Sequence, residues 1–213
     1  MIYIENVYIC LAAPLVLAIL LLDKGWRKVL AFLLSGMTCC MLSSYVTGFF
    51  TMLTEIGRGL AAFEIAPAVE EFIKLIPILF YLLVFEPRRK DMLSGILLVA
   101  LGFATFENVC FLTANGSADL LGLLIRGFGT GAMHVVCGVM LSVGVMILWN
   151  QPWLRVTGVF AVLCCAITFH AIFNVVVSRE GASLWIGSAA PVVMIWIYLT
   201  FLKGKVEKIG SFG

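Results

Sequence analysis

The chain has 213 residues, of which 62% are hydrophobic and only 12% are charged, and its formal net charge is +2. Soluble domains average about 25% charged residues, so this composition excludes a water-soluble globular protein and indicates a polytopic membrane protein. We expect one compact all-α bundle in the lipid bilayer, and no nucleic-acid partner.

Seven segments are long and apolar enough to cross a bilayer as helices. In chain order they lie near residues 7–22, 29–53, 65–85, 92–114, 120–148, 156–178 and 183–202. The first is short, but Glu5 precedes it and no basic region or small-residue cleavage site frames it, so we expect a retained helix rather than a signal peptide. No linker or internal repeat divides the chain, which predicts a single integral-membrane domain over residues 1–213.

Basic residues in the connections between these segments lie mostly on one side. Ten fall on that side, and only Arg58 and Arg179 fall on the other. The other side also holds five acidic residues: Glu5, Glu55, Glu64, Asp119 and Glu180. The ten are Lys24, Arg27, Lys28, Arg88, Arg89, Lys90, Arg155, Lys203, Lys205 and Lys208. The positive-inside rule therefore predicts a multi-pass protein of the cell membrane with its N-terminus outside and its C-terminus in the cytoplasm.

Two regions depart from a simple pattern of crossings. The connection 54–64, on the predicted outer side, is the longest, and we interpret it as a plain loop, although it could cover the mouth of a site. The fifth segment has 29 residues, more than the roughly 20 that a crossing needs. If the crossing starts after Arg126, we expect this residue to reach the outer headgroups. Gly127, Gly131 and Gly138 then lie along one side of the helix and permit close packing of a neighbouring helix.

Four of the predicted helices carry residues that a membrane helix normally excludes. They are Glu70, Glu71 and Lys74 in the third segment, Glu107 and Asn108 in the fourth, His134 in the fifth, and His170 and Asn174 in the sixth. A charge at the bilayer centre costs about 2.5–3.5 kcal/mol on insertion scales, so such residues usually face a protein interior and indicate function. Taken singly, each also has a structural explanation, such as a buried ion pair, an interhelical hydrogen bond or a satisfied core histidine.

The depth of these residues favours one shared site. At about 1.5 Å per residue, the glutamate pair of the third segment lies about 8–9 Å below the outer end of its helix, Glu107 about 10 Å and His170 about 12 Å. His134 lies about 12 Å deep if the crossing starts after Arg126, and about 20 Å deep if it starts at Asp119. With Arg126 at the surface, this layer holds three carboxyl groups and one ammonium group, so not every carboxylate can have an ion partner.

Carboxylates and imidazoles in a buried layer suit hydrolysis inside a membrane. A buried glutamate can take a proton from water and later return it to the leaving amine, while imidazole and amide donors stabilise the oxyanion. Two histidines and a glutamate can instead hold a catalytic zinc ion, although the H-E-x-x-H spacing is missing. A proton- or cation-coupled transporter is another alternative, but the paired broken helices of inverted-repeat transporters are missing too.

Three short stretches and the helix of His134 resemble the motifs of the PrsW family of intramembrane proteases, a relative of the CAAX prenyl proteases and CPBP proteins. The stretches are P-A-V-E-E-F-I-K at 67–74, G-F-A-T-F-E-N at 102–108 and H-A-I-F-N at 170–174. The resemblance covers a core of about residues 60–180, and G-F-A-T-F-E-N is its most specific part. Glu107 departs from the CAAX branch, which has a histidine at that position.

The resemblance implies an intramembrane endopeptidase that cleaves a membrane-anchored protein, such as an anti-sigma factor, near the extracytoplasmic face. Glu70, Glu71, His134 and His170 correspond to its catalytic residues, and we expect Glu70 to activate water. The supporting residues would be Lys74, Glu107, Asn108 and Asn174. We favour a metal-free reaction; in a zinc-dependent version the ligands would be Glu107, His134 and His170. A non-catalytic scaffold or immunity partner is the third alternative.

Overall fold

In a computed structural model the chain forms a bundle of helices. The structure describes residues 3–85, 87, 89–116, 120–149, 151–179 and 181–211, and these contain no strand. The helices are α1 (Ile4–Leu21), α2 (Lys24–Thr54), α3 (Arg58–Glu64), α4 (Ala66–Phe85), α5 (Arg89–Asn115), α6 (Leu120–Leu148), α7 (Arg155–Val177), α8 (Ala182–Ile197) and α9 (Lys203–Ser211). A π-helical turn, Tyr198–Leu202, joins α8 to α9. The predicted all-α bundle is confirmed.

Each of the seven predicted crossings overlaps one long helix. Within the described residues, six stretches are long and apolar enough to cross a membrane: α1, α2, most of α5, α6, α7, and the stretch Ala182–Val206 that begins with α8. The seventh is α4, which has 20 residues but carries Glu70, Glu71 and Lys74. It packs against α2, α5 and α7, which accounts for charges in its middle.

Which end of the bundle faces the cytoplasm stays a prediction of the charge pattern. Of the residues behind that prediction, Arg88, Asp119 and Glu180 lie outside the described part of the chain. The end of the bundle that carries α3 is called the predicted outer end below.

The connection 54–64 is not a plain loop, because residues 58–64 form the helix α3. Glu55 ends α2 with a left-handed φ of 55°, and α3 then packs against α4 and α7. Ala61 is buried there, and the side-chain amide of Asn174 donates a hydrogen bond to the carbonyl oxygen of Ala62 at 3.1 Å. The loop prediction was wrong at α3 because tertiary contacts, rather than its own length, stabilise so short a helix.

The helix α5 lies at the centre of the bundle, in close contact with α2. A Cβ atom added at Gly36 would lie 2.1 Å from the carbonyl oxygen of Val99, and one added at Gly102 would lie 2.0 Å from that of Leu33. Only glycine therefore fits at either position, and the two backbones touch. This contact fixes the position of α5, which carries Glu107 into the bundle.

The glycines of α6 behave differently from one another. A Cβ atom at Gly138 would lie 2.9 Å from the Cβ of Ala100, so close packing at this position is confirmed. At Gly127 and Gly131 an added Cβ would meet nothing within 4 Å in the described part of the chain. The expected close packing at these two glycines was wrong, because they line an open groove between α5, α6 and α8.

Candidate active site

A buried ion pair on α4 forms the centre of the polar layer. Glu71 and Lys74 are each only 3% exposed and lie one helical turn apart, a spacing that brings side chains together. The ammonium Nζ of Lys74 donates to Oε1 of Glu71 at 2.5 Å. Nζ also lies 4.6 Å from the centre of the Phe103 ring on α5. The carboxylate and the aromatic face together compensate the buried charge of Lys74.

His170, on α7, joins this pair through one of its ring nitrogens. Its Nδ1 lies 2.8 Å from Oε1 of Glu71. A carboxylate only accepts hydrogen bonds, so Nδ1 carries the hydrogen. In the neutral ring the lone pair is then on Nε2, which lies 3.7 Å from Oε2 of Glu70. Nε2 has no hydrogen-bond partner in the described part of the chain, so His170 presents an acceptor nitrogen to Glu70.

His134, on α6, is fully buried and has both ring nitrogens engaged. Nζ of Lys74 lies 3.0 Å from Nδ1 of His134. An ammonium group has no lone pair, so Nδ1 must accept and the hydrogen lies on Nε2. Nε2 in turn donates to Oε2 of Glu107 on α5. His134 thus bridges a cation and an anion, and its ring stands perpendicular to that of His170, with the centres 5.1 Å apart.

Arg126, which we expected at the outer headgroups, belongs to the same network. Its Nη2 donates to Oε1 of Glu107 at 2.8 Å, and its guanidinium lies 4.3 Å from the centre of the Phe111 ring. A partly buried carboxylate on the neighbouring helix α5 is thus a direct partner of Arg126, and whether the side chain also reaches the outer headgroups stays a prediction. The sequence contained a clue to this pairing. The layer has three carboxyl groups and only one ammonium group, which indicates that a second cation belongs to it.

Glu70 differs from the other two carboxylates of the layer. Glu71 pairs with Lys74, and Glu107 pairs with Arg126. Oε2 of Glu70 is buried and has no hydrogen-bond partner among the described residues. The side chain is 17% exposed, compared with 4% for Glu71. Among the described residues, Glu70 is therefore the carboxylate of the layer without a lysine or arginine partner, and its side chain is partly exposed.

The two asparagines predicted to support the site lie outside this network. Asn174 holds α3 through Ala62, as described above. Asn108 lines a groove of about 410 Å³ between α5, α6 and α8, and its buried Oδ1 has no partner in the described part of the chain. The structure thus brings together Glu70, Glu71, Lys74, Glu107, His134 and His170, adds Phe103 and Arg126, and leaves Asn108 and Asn174 apart.

The polar layer contains three candidate ligands for a metal ion. Glu70, His134 and His170 each offer a donor atom within 4.8 Å of the others. This set contains Glu70 in place of the predicted ligand Glu107. Two histidines and one glutamate form a known catalytic zinc set. Glu70 and His170 have free donors, but both nitrogens of His134 are occupied. As arranged, His134 would have to give up one of these hydrogen bonds before the three residues could hold a zinc ion.

Comparison with protein families matches residues 24–202 to the PrsW family of intramembrane metalloproteases. The chain belongs to this family. The match covers most of the chain and extends beyond the predicted core of residues 60–180 on both sides. Membership in the PrsW family supports an intramembrane protease with a membrane-protein substrate, in a multi-pass protein of the cell membrane. No curated protein and no solved structure matches the chain.

Proposed function

We propose that this PrsW family protein cleaves a membrane-anchored protein near the predicted outer face, with Glu70 as the base that activates water. The observation that carries the proposal is the pair formed by the unpartnered Oε2 of Glu70 and the free Nε2 of His170, 3.7 Å apart. A water molecule held between these two acceptors would donate one hydrogen to each, and its oxygen lone pairs would then face a peptide carbonyl carbon.

The chemical steps balance with these residues alone. Glu70 takes a proton from the water as its oxygen bonds to the carbonyl carbon, which gives a tetrahedral intermediate with a negative oxygen. Glu70 then returns the proton to the leaving nitrogen as the carbon–nitrogen bond breaks.

The remaining residues position this pair. Glu71 accepts a hydrogen bond from Nδ1 of His170, and this contact directs Nε2 of the ring towards Glu70. Lys74 compensates Glu71 and, by donating to His134, links α4 to the Glu107–Arg126 pair. In this arrangement Glu71 and His134 act through their neighbours. Fixed hydrogen bonds to a histidine set its tautomer and orientation, which is their role here.

The substrate that we propose is a membrane-anchored protein of the anti-sigma-factor type, as the resemblance implies. Depth supports this choice, because residues in the outer half of the bundle can act on a peptide bond close to the outer surface.

A zinc-dependent version of the same protease is the second candidate. Its support is the proximity of Glu70, His134 and His170 and the description of the family as metalloproteases. These three residues would hold the ion, which would polarise the carbonyl and the attacking water. Binding of the ion would require Lys74 to release Nδ1 of His134. The two versions therefore differ in whether the active protein contains zinc, which metal analysis measures.

The proposal is tested by cleavage of a tethered substrate in proteoliposomes by Glu70→Gln and, as a matched control, Glu64→Gln. Glu64 lies exposed on α3. Loss of a general base typically costs about 10²–10⁴-fold in rate, so we expect that loss for Glu70→Gln and wild-type cleavage for Glu64→Gln. Equal cleavage by both variants, at matched levels of insertion, would overturn the proposal.

A further inference from the structure

A cavity of about 370 Å³ lies at the predicted outer end of the bundle, between α5, α6, α7 and α8. Its walls are mostly apolar, with Phe111, Leu123, Phe173 and Leu184 among them. Arg126 and Thr130 are among its few polar residues. An apolar cavity with a few polar groups is typical of a binding site.

The cavity lies directly outward of the two histidines. On α6, Thr130 lies one turn before His134, and on α7, Phe173 lies one turn after His170. These helices are neighbours that run in opposite directions, so both residues lie on the same side of the imidazoles. One turn is about 5.4 Å, and consecutive Cα atoms are about 3.8 Å apart. A substrate side chain one or two residues from a peptide bond at the histidines would therefore reach the cavity.

Arg126 links the cavity to the polar layer. Its Nη2 is bound to Glu107, whereas its buried Nε has no partner in the described part of the chain. An N–H group requires an acceptor, and burial without one is costly. Because Glu107 already balances the charge of Arg126, a neutral acceptor such as a peptide carbonyl suits Nε better than a second anion.

We propose that this cavity is a side-chain subsite for the substrate, which takes a large apolar residue one or two positions from the cleaved bond. Nε of Arg126 donates to a peptide carbonyl oxygen beside that residue. A carbonyl oxygen within a helix already accepts one hydrogen bond and is partly covered by the next turn, so a substrate segment unwound at this point presents its carbonyl oxygen better to Nε. The inference rests on the proposed protease function and narrows its substrate to an apolar, locally extended segment.

The test compares one tethered substrate carrying Ala, Leu or Phe at the positions that flank the cleaved bond. Leu123→Trp narrows the cavity, and Leu184→Ala enlarges it. Leu124→Trp is the matched control, because Leu124 is the next residue on α6 but is 46% exposed and does not line the cavity. The readout is the ratio of kcat/KM for the Leu and Phe substrates to that for the Ala substrate.

We expect Leu123→Trp to lower this ratio by at least about 10-fold, since pocket contacts of this size discriminate by about 10–200-fold. Leu184→Ala should shift preference from Leu towards Phe, and Leu124→Trp should leave every ratio unchanged. Unchanged ratios in both cavity variants, or an equal loss on all substrates, would overturn the subsite. The protease function would stand in those cases as long as residual cleavage still depends on Glu70.

Discussion

Nδ1 of His170 lies 2.8 Å from Oε1 of Glu71, and this contact turns Nε2 of the same ring towards Glu70. The same carboxylate oxygen also accepts from Lys74 at 2.5 Å. One buried oxygen atom therefore balances an ammonium group and orients an imidazole ring. The positions of Lys74 and His170 in the site therefore depend on the negative charge of Glu71.

We predict that Glu71→Gln destabilises the protein strongly. The substitution keeps the size of the side chain but leaves the ammonium of Lys74 buried without its anion, which typically costs about 3–5 kcal/mol. Thermal unfolding of purified protein in detergent measures the effect. Glu71→Gln combined with Lys74→Met should recover part of the loss, since neither of these two positions then carries a buried charge. An unchanged Tm for Glu71→Gln alone would contradict the ion-pair interpretation.

We predict that substitution by glutamine reduces cleavage much less at His134 than at His170. The ring of His134 accepts from Lys74 and donates to Glu107, and a glutamine side chain can do both. His134→Gln should therefore keep more activity than His134→Ala. His170→Gln should lose cleavage by about 10²-fold or more, because an amide oxygen is a far weaker base than the ring nitrogen that faces Glu70.

The measurement is kcat on one tethered substrate at matched protein levels in the membrane. Equal losses for His134→Gln and His134→Ala would show that the bridging pattern of His134 does not govern its role.

The sequence predicted the layer but not every residue in it. Buried charges stand out in apolar helices, and depth follows from residue counts, so the meeting of Glu70, Glu71, His134 and His170 could be expected. Counting residues along a helix does not give the direction of a side chain near its end, so the pairing of Arg126 with Glu107 was not predicted. Asn108 is the residue after Glu107, so its side chain points about 100° away around the axis of α5. This rotation places Asn108 in the groove between α5, α6 and α8 instead of in the polar layer.

We predict that Lys74→Met increases the affinity of the site for zinc. In the wild type, an ammonium group lies 3.0 Å from Nδ1 of His134, where it occupies the lone pair and repels a cation. Its removal frees the third donor of the set formed by Glu70, His134 and His170. Zinc titration of the purified variant measures the change, and Lys28→Met, at a half-exposed lysine far from the layer, is the control.

The wild type itself should purify with less than one zinc ion per chain and keep its cleavage activity after treatment with a chelator. Stoichiometric zinc in the wild type, lost in Glu70→Gln and His170→Gln together with activity, would favour the zinc-dependent version instead.

We predict opposite effects of alanine at two glycines of α2. At Gly36 an added Cβ would lie 2.1 Å from the carbonyl oxygen of Val99, and a backbone atom cannot move aside as a flexible side chain can. Gly36→Ala should therefore force α2 and α5 apart at a cost of about 1–3 kcal/mol or more, and displace Glu107 from its partners. At Gly48 an added Cβ would meet nothing within 4 Å, so Gly48→Ala should gain about 0.5–1 kcal/mol through higher helix propensity.

Unfolding in detergent compares the two variants, and cleavage of the tethered substrate reports on the site. Because α5 carries Glu107, we expect Gly36→Ala to lose activity even at temperatures at which it remains folded. A Gly36→Ala protein as stable and active as Gly48→Ala would mean that α2 and α5 are not in backbone contact, and the position of Glu107 would then need another explanation.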